Sequence, residues 1–194
     1  TQVGLRKRLE LLTGLSTHKA RERTLQNHAC RDYLTGLLNR RGLHAALDSL
    51  WQEDLPLALY IFDLGGLKKV SDGCGHDHDS QLLKAFGELL RRRTRNGDIL
   101  CRYGGDEFVV ILRRMDNAEA VRRKGTEICR AIGEFLPDVE LLGSCSAGAV
   151  LCGDEECPFA ELLEKATKAL YRAKRLGKGT CCLWHDEAAK DTCL

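Results

Sequence analysis

The stretch Ile99–Leu112, ILCRYGGDEFVVIL, decides the fold. Two apolar runs rich in strand formers, Ile99–Tyr103 and Phe108–Leu112, flank Gly104-Gly105-Asp106-Glu107, four residues that suit a loop. Short apolar runs joined by a glycine-containing loop read as a β-hairpin. Its tip carries two adjacent carboxylates, which repel one another unless cations neutralise them.

Working outward, Leu55–Phe62 (LPLALYIF) reads as a buried strand that ends at Asp63, with Gly65-Gly66 as a turn signal. Gly143–Leu151 and Cys181–Trp184 complete a set of five strands. Helical spacing of apolar residues places helices at Arg40–Leu50, Ser80–Arg93, Asn117–Phe135 and Phe159–Leu176, the last stopped by Gly177. Asp77 and Asp79 lie near the start of the second, where acids complement the helix dipole. The pattern predicts one α+β domain over residues 31–186. Its sheet has five strands, mostly antiparallel, and is flanked by helices. Leu5, Leu9, Leu12 and Leu15 recur at helical spacing, so residues 1–30 read as a helix. That helix either packs on its own domain or pairs with a partner chain. Residues 187–194 form a short tail.

Composition excludes several classes. The chain has 194 residues, room for one domain and a real core, with 30 Lys+Arg against 28 Asp+Glu and a formal net charge of +2. That balance argues against a broad surface for a nucleic-acid polymer. Leu55–Phe62 is too short to cross a bilayer, and no N-terminal segment resembles a signal peptide. The expectation is a cytoplasmic module, alone or within a larger, membrane-tethered protein. None of the ten cysteines forms a C-x-x-C pair, so zinc-ribbon or thioredoxin-like chemistry has no support. They read as small reduced core residues, with a disulfide framework as the alternative.

Asp63 at one strand end and Asp106-Glu107 at the hairpin tip could converge on a hard divalent cation, which prefers oxygen ligands. Such an ion aligns a phosphoryl group and activates an attacking hydroxyl. On spacing alone, two ordinary polar turns are the favoured reading.

The letters themselves go further. Gly104–Phe108 (GGDEF) resembles the signature of the diguanylate cyclase (GGDEF) family, and four more segments match in family order. Asp32–Arg41 (DYLTGLLNRR) is similar to D-x-L-T-G-L-x-N-R-R, and Phe62–Asp72 (FDLGGLKKVSD) to D-x-D-x-F-K-x-x-N-D. Gly75–Ser80 (GHDHDS) resembles G-H-D-x-G-D, and Ala169–Lys178 (ALYRAKRLGK) resembles A-L-Y-x-A-K-x-x-G-R. The matches cover roughly residues 30–184, and on them the chain is identified as a member of that family.

The resemblance implies a sheet related to nucleotidyl-cyclase and polymerase-palm domains. It also implies a homodimer in which two GTP molecules face each other. Each 3′-hydroxyl attacks the other α-phosphate, giving cyclic di-GMP and two pyrophosphates. Asp63 and Asp106 match the carboxylates that hold Mg2+ (or Mn2+), and the Leu64 carbonyl matches a backbone ligand. Glu107 matches the acid assigned to a second metal or to activating the hydroxyl. Gly66, Leu67 and Lys68 match the turn whose N–H groups hold the distal phosphates, an anion nest. Gly104 and Gly105 match the glycines under the nucleotide. Lys174 and Lys178 match the basic pair on the triphosphate, with Lys178 in place of the usual Arg. Arg95 and Asp98 match the R-x-x-D inhibitory site for cyclic di-GMP at the family's offset before GGDEF, with the basic end of a helix and an ordinary turn as the alternative.

Three positions depart from the pattern. The second acid of D-x-D is Gly65, the Asn that reads the guanine edge is Ser71, and the guanine-reading Asp is Ser80. A hydroxyl donates or accepts, so Ser71 and Ser80 weaken and broaden base choice. Asp79 could substitute if the helix start slips by one residue. Ser80 is reminiscent of a family branch that also makes cyclic GMP–AMP, which would add ATP to the substrates. The histidines His76 and His78 read as loop-shaping residues and not as ligands. Three readings follow: a cyclase making cyclic di-GMP, a cyclase of relaxed base choice, and a degenerate domain that binds nucleotide and regulates a partner. Retained Asp63, Asp106, Glu107 and Lys174 favour chemistry. Arg91–Arg95 and Lys168–Lys178 read as basic clusters facing phosphorylated ligands. Any sensor domain lies outside this chain.

Overall fold

The computed structural model describes residues 29–50, 54–65, 76–135, 144–153, 157–177 and 179–184. The helix expected over residues 1–30, the tail, and Gly66, Leu67, Lys68, Ser71 and Lys178 therefore lie almost wholly outside the described residues. The elements are α1 (Arg40–Leu47), β1 (Leu57–Gly65), α2 (His76–Arg93), β2 (Ile99–Arg102), β3 (Glu107–Arg113), α3 (Ala118–Phe135), β4 (Ser144–Cys152), α4 (Phe159–Leu176) and β5 (Thr180–Leu183).

The five strands form one sheet in the order β2-β3-β1-β4-β5. All neighbours are antiparallel except β4 and β5, which run parallel. The apolar run LALYIF is continuous because β1 is the central strand and is covered on both faces. Ala58, Tyr60, Phe62 and Leu64 point one way, into a core with Leu82, Leu83, Phe86 and Leu90 of α2 and Val121, Ile128 and Ile132 of α3. Leu57, Leu59 and Ile61 point the other way, onto Leu43 of α1 and Leu162, Ala166 and Leu170 of α4. Period-2 alternation thus feeds two cores from one strand. The ring of Phe86 packs edge-on against both Phe62 and Phe108. The Tyr60 hydroxyl, buried in the same core, donates to the Val121 carbonyl at 2.9 Å.

The small residues of β4 have a packing reason. A Cβ on Gly148 would collide with the Ala166 carbonyl oxygen and the Leu170 backbone nitrogen, so the α4 backbone lies directly on the strand. Ala147 and Ala149 on either side are fully buried.

Several boundaries differ from expectation. The first strand runs through Asp63 to Gly65, because pairing with β4 continues to Leu64↔Cys145 and Gly65↔Ser144. Helix α2 begins at His76 and not at Ser80, since its polar first turn carries no apolar periodicity. The hairpin tip is Tyr103–Asp106, because Glu107 already pairs with Asp63 of β1. Helix α1 is shorter than expected, ending at Leu47.

Candidate functional site

Asp63 sits inside β1, opposite Glu107 of β3 on one side and Ser146 of β4 on the other. It points to the same face as Leu59 and Ile61, towards α4, and is only 7% exposed. A carboxylate so buried needs a partner, and α4 supplies it: Lys174 Nζ lies 2.8 Å from Asp63 Oδ2. Cross-strand partners share a face with Cβ atoms about 5 Å apart, so Glu107 is the adjacent acid on the lysine side of the sheet. Asp106 is tied to the same place through its backbone, its carbonyl accepting the Leu64 N–H at 3.1 Å. The sheet thereby brings Asp63, Leu64, Asp106 and Glu107 to one end of two neighbouring strands.

The tip is held from outside by residues that the sequence reading gave no role. Arg102 Nε and Nη2 donate to the Gly105 carbonyl at 3.1 and 2.8 Å. Its Nη1 lies 3.1 Å from Asp32 Oδ2. Asp32 also accepts the Thr35 N–H and hydroxyl, at 2.8 and 2.7 Å. Burial would raise the Asp32 carboxyl, but the Thr35 hydrogen bonds and the Arg102 charge outweigh it and hold it below the usual carboxylate range. Arg40 Nε donates to the Tyr103 carbonyl at 2.6 Å while its guanidinium covers the Tyr103 ring at 4.2 Å. Asp32, Arg40, Arg41, Arg102, Gly104 and Gly105 line a cationic recess of about 370 Å3 beside the tip. The signal for this brace was present as D-x-L-T in Asp32–Thr35 and as the basic residue before the glycines.

Among the described residues, no three acidic, histidine or cysteine side chains converge as a metal cage. The donor set still suits Mg2+, an oxygen-seeking ion commonly bound by one or two carboxylates plus substrate phosphates. Asp63 and Glu107 in register, with the Leu64 carbonyl, are such a set.

The other expected residues divide. Ser80 lies in the first half of α2, partly exposed. Asp79, one position earlier, has its Oδ1 buried without a hydrogen-bond partner. His76 and His78 fall in the same first turn.

At the other end of α2, Arg95 and Asp98 line a cavity of about 340 Å3 with Arg93, Arg113, Arg123 and Lys124. Asp98 is partly committed to the fold, its two oxygens accepting the Arg95 N–H at 2.7 Å and the Arg113 N–H at 3.2 Å.

Several cations of the two basic runs already have partners. Arg91 and Arg92 pair with Glu88, Arg91 also donates to the Thr35 carbonyl at 2.6 Å, and Arg93 pairs with Glu127. Lys168 pairs with Glu164 on the solvent side of α4, so within that run Lys174 is the described lysine that reaches the acids.

The sequence profile of the family "Diguanylate cyclase, GGDEF domain" matches residues 29–180. The chain belongs to the GGDEF family. It is 35% identical over 162 residues to the response regulator PleD of Caulobacter vibrioides, a match spanning 77% of this chain and 35% of that protein. It is 34% identical over 157 residues to the diguanylate cyclase DgcP of Pseudomonas aeruginosa, spanning 77% of this chain and 23% of that protein. The chain thus spans about a third or less of the length of these two relatives.

Among solved structures, a sensory box/GGDEF family protein from Caulobacter crescentus matches with TM-score 0.62 and 32% identity, over 76% of this chain and 99% of that one. The coiled coil and GGDEF domain of DgcB from Caulobacter crescentus, in complex with c-di-GMP, matches with TM-score 0.75 over 92% and 98% of the two chains. At 21% identity that likeness establishes the fold. The GGDEF fold here is the expected α+β architecture, a mostly antiparallel five-stranded sheet flanked by helices.

Proposed function

We propose that this GGDEF domain is the catalytic module of a diguanylate cyclase, joining two GTP molecules into cyclic di-GMP with release of two pyrophosphates. The observation that carries this reading is the registered pair Asp63 and Glu107, with Asp106 bonded to Leu64 and Lys174 at the same strand ends. Its relatives include diguanylate cyclases of several bacteria.

Asp63, Asp106 and the Leu64 carbonyl would hold Mg2+ (or Mn2+), with Glu107 beside them, and the ion would supply charge neutralisation at the transferring phosphoryl group. Lys174 meets the negative charge of the triphosphate, with Lys178 as its partner. On the family's pattern Gly66, Leu67 and Lys68 would hold the distal phosphates, and Gly104 and Gly105 leave room for the nucleotide to lie against the tip. Glu107 takes the proton of the attacking 3′-hydroxyl. The α-phosphate oxygen bridge to pyrophosphate breaks as the new phosphodiester forms. One domain carries one nucleotide, so the product requires a homodimer with two sites facing. Arg95 and Asp98 provide a second, inhibitory place for cyclic di-GMP. An upstream sensor domain, in the wider protein, would set the encounter of the two copies.

A second reading concerns the base. Ser80 places a hydroxyl where a paired acceptor would select guanine, and Ser71 does the same on the neighbouring segment, so the enzyme also accepts ATP and forms some cyclic GMP–AMP. The test is incubation with labelled GTP, ATP or both in the presence of Mg2+, with chromatographic identification of products. Cyclic di-GMP is the expected product, lost in Asp63→Asn and Glu107→Gln. Mixed product that disappears in Ser80→Asp supports relaxed base choice. No cyclic dinucleotide at any protein concentration would leave the degenerate, nucleotide-binding regulator as the correct reading.

A further inference from the structure

We infer that Lys174 is a resident counter-cation of Asp63, and that a divalent cation and Lys174 compete for this carboxylate. The inference rests on the reading of Asp63 as a metal ligand and deepens it.

The two partners differ in freedom. Asp63 belongs to the central strand, held by β3 on one side and β4 on the other, and its side chain is 10% exposed. It cannot swing out to find another partner. Lys174 is 45% exposed and stands near the C-terminal end of α4, on a long stem that can turn to solvent or to a bound anion. Among the described residues, no other cation pairs with Asp63. The lysine therefore supplies the charge that makes a buried carboxylate tolerable there.

An ammonium 2.8 Å from Oδ2 and a dication on the same carboxylate would repel strongly in a half-buried site. The ion takes Asp63 only as Lys174 leaves, and a phosphate gives the ammonium an equally strong alternative acceptor. Metal and triphosphate binding are thus coupled through one side chain, and by linkage each favours the other. Metal alone binds weakly, because it must displace a resident charge. Nucleotide draws Lys174 away and opens the carboxylate.

The test titrates Mn2+ alone into the nucleotide-free protein and reads free Mn2+ by electron paramagnetic resonance. Lys174→Gln, which keeps a donor for the carboxylate but removes the charge, should bind Mn2+ more tightly than wild type, by about 5- to 150-fold. Lys174→Met should do the same, and Lys174→Arg should retain the weak binding of the wild type. A lysine serving only to brace α4 would not tighten metal binding when removed. Asp63→Asn should lose the site. Equal or weaker Mn2+ binding in both Lys174→Gln and Lys174→Met, with the loss in Asp63→Asn preserved, overturns the inference and leaves the metal reading intact. Unchanged Mn2+ binding in Asp63→Asn overturns both.

Discussion

Arg102 and Asp32 form a half-buried ion pair, Nη1 to Oδ2 at 3.1 Å, across the base of the hairpin tip. Because the same guanidinium holds the Gly105 carbonyl, the entry loop and the glycine turn are one mechanical unit. The tip is fixed from two sides, by this pair and by the hydrogen bond from Leu64 to the Asp106 carbonyl.

Arg102→Ala should therefore cost both stability and activity. Charged hydrogen bonds of this kind are worth about 1.5–3 kcal/mol each, and urea denaturation should show a loss of that order. Cyclic dinucleotide formation should fall further than nucleotide affinity, because the turn carrying Asp106 and Glu107 loosens. The effect also depends on pH. Asp32 has a depressed carboxyl in the folded chain, so its contribution is complete above the usual carboxylate range and is lost as pH falls through the lower folded value. The stability gap between wild type and Asp32→Asn should be full near neutral pH and close in strong acid.

Arg95 and Asp98 should separate in experiment although they share one motif. The Arg95 side chain lines the cavity, whereas both Asp98 oxygens accept backbone N–H groups. Calorimetric titration of cyclic di-GMP should show lost affinity in Arg95→Ala with thermal stability near wild type. Asp98→Ala should lower affinity and also the melting temperature. Unchanged affinity in Arg95→Ala would remove the inhibitory-site reading.

Gly148→Ala should destabilise by about 1–3 kcal/mol, the usual cost of an extra carbon in a packed interior. The added carbon meets the backbone of α4, which cannot move aside as a side-chain tip can. Because α4 carries Lys174, the same variant should also disturb nucleotide binding, measured beside the denaturation midpoint.

Thiol chemistry should follow burial. Cys101 is pushed up to about 12 by burial, and burial likewise raises Cys181. Cys129 is raised by its hydrogen bond with Cys145 together with burial. These side chains stay protonated and inaccessible at neutral pH. In a brief iodoacetamide treatment of the native protein, peptide mapping should find the partly exposed Cys30 and Cys157 labelled well before the six thiols that are buried among the described residues.

The architecture was readable because its main elements announce themselves locally. The runs Ile99–Arg102 and Phe108–Leu112 around two glycines pointed to a hairpin, and α4 was closed by Gly177. Where sequence reading stopped short, the missing information was tertiary. Asp63 looked like the residue after a strand because hydrophobicity ends at Phe62, whereas pairing with β4 carries the strand to Gly65. The first turn of α2 is polar and so invisible to apolar periodicity. Charge runs are incomplete for a related reason: a sequence shows which residues are cationic but not which already face a carboxylate, as Arg93 faces Glu127. The site's acids were found by motif, while their supports Arg102 and Asp32 emerged only once the chain was folded.

The central position of β1 has a consequence for how such a domain can be controlled. Amides in a strand flanked on both edges and both faces exchange with solvent chiefly when the whole molecule opens. Asp63 therefore shares the lifetime of the native state, and no local breathing can move it out of reach. A signal arriving at this domain has little leverage over the position of the acid itself. A signal has its leverage instead over what is brought to the carboxylate.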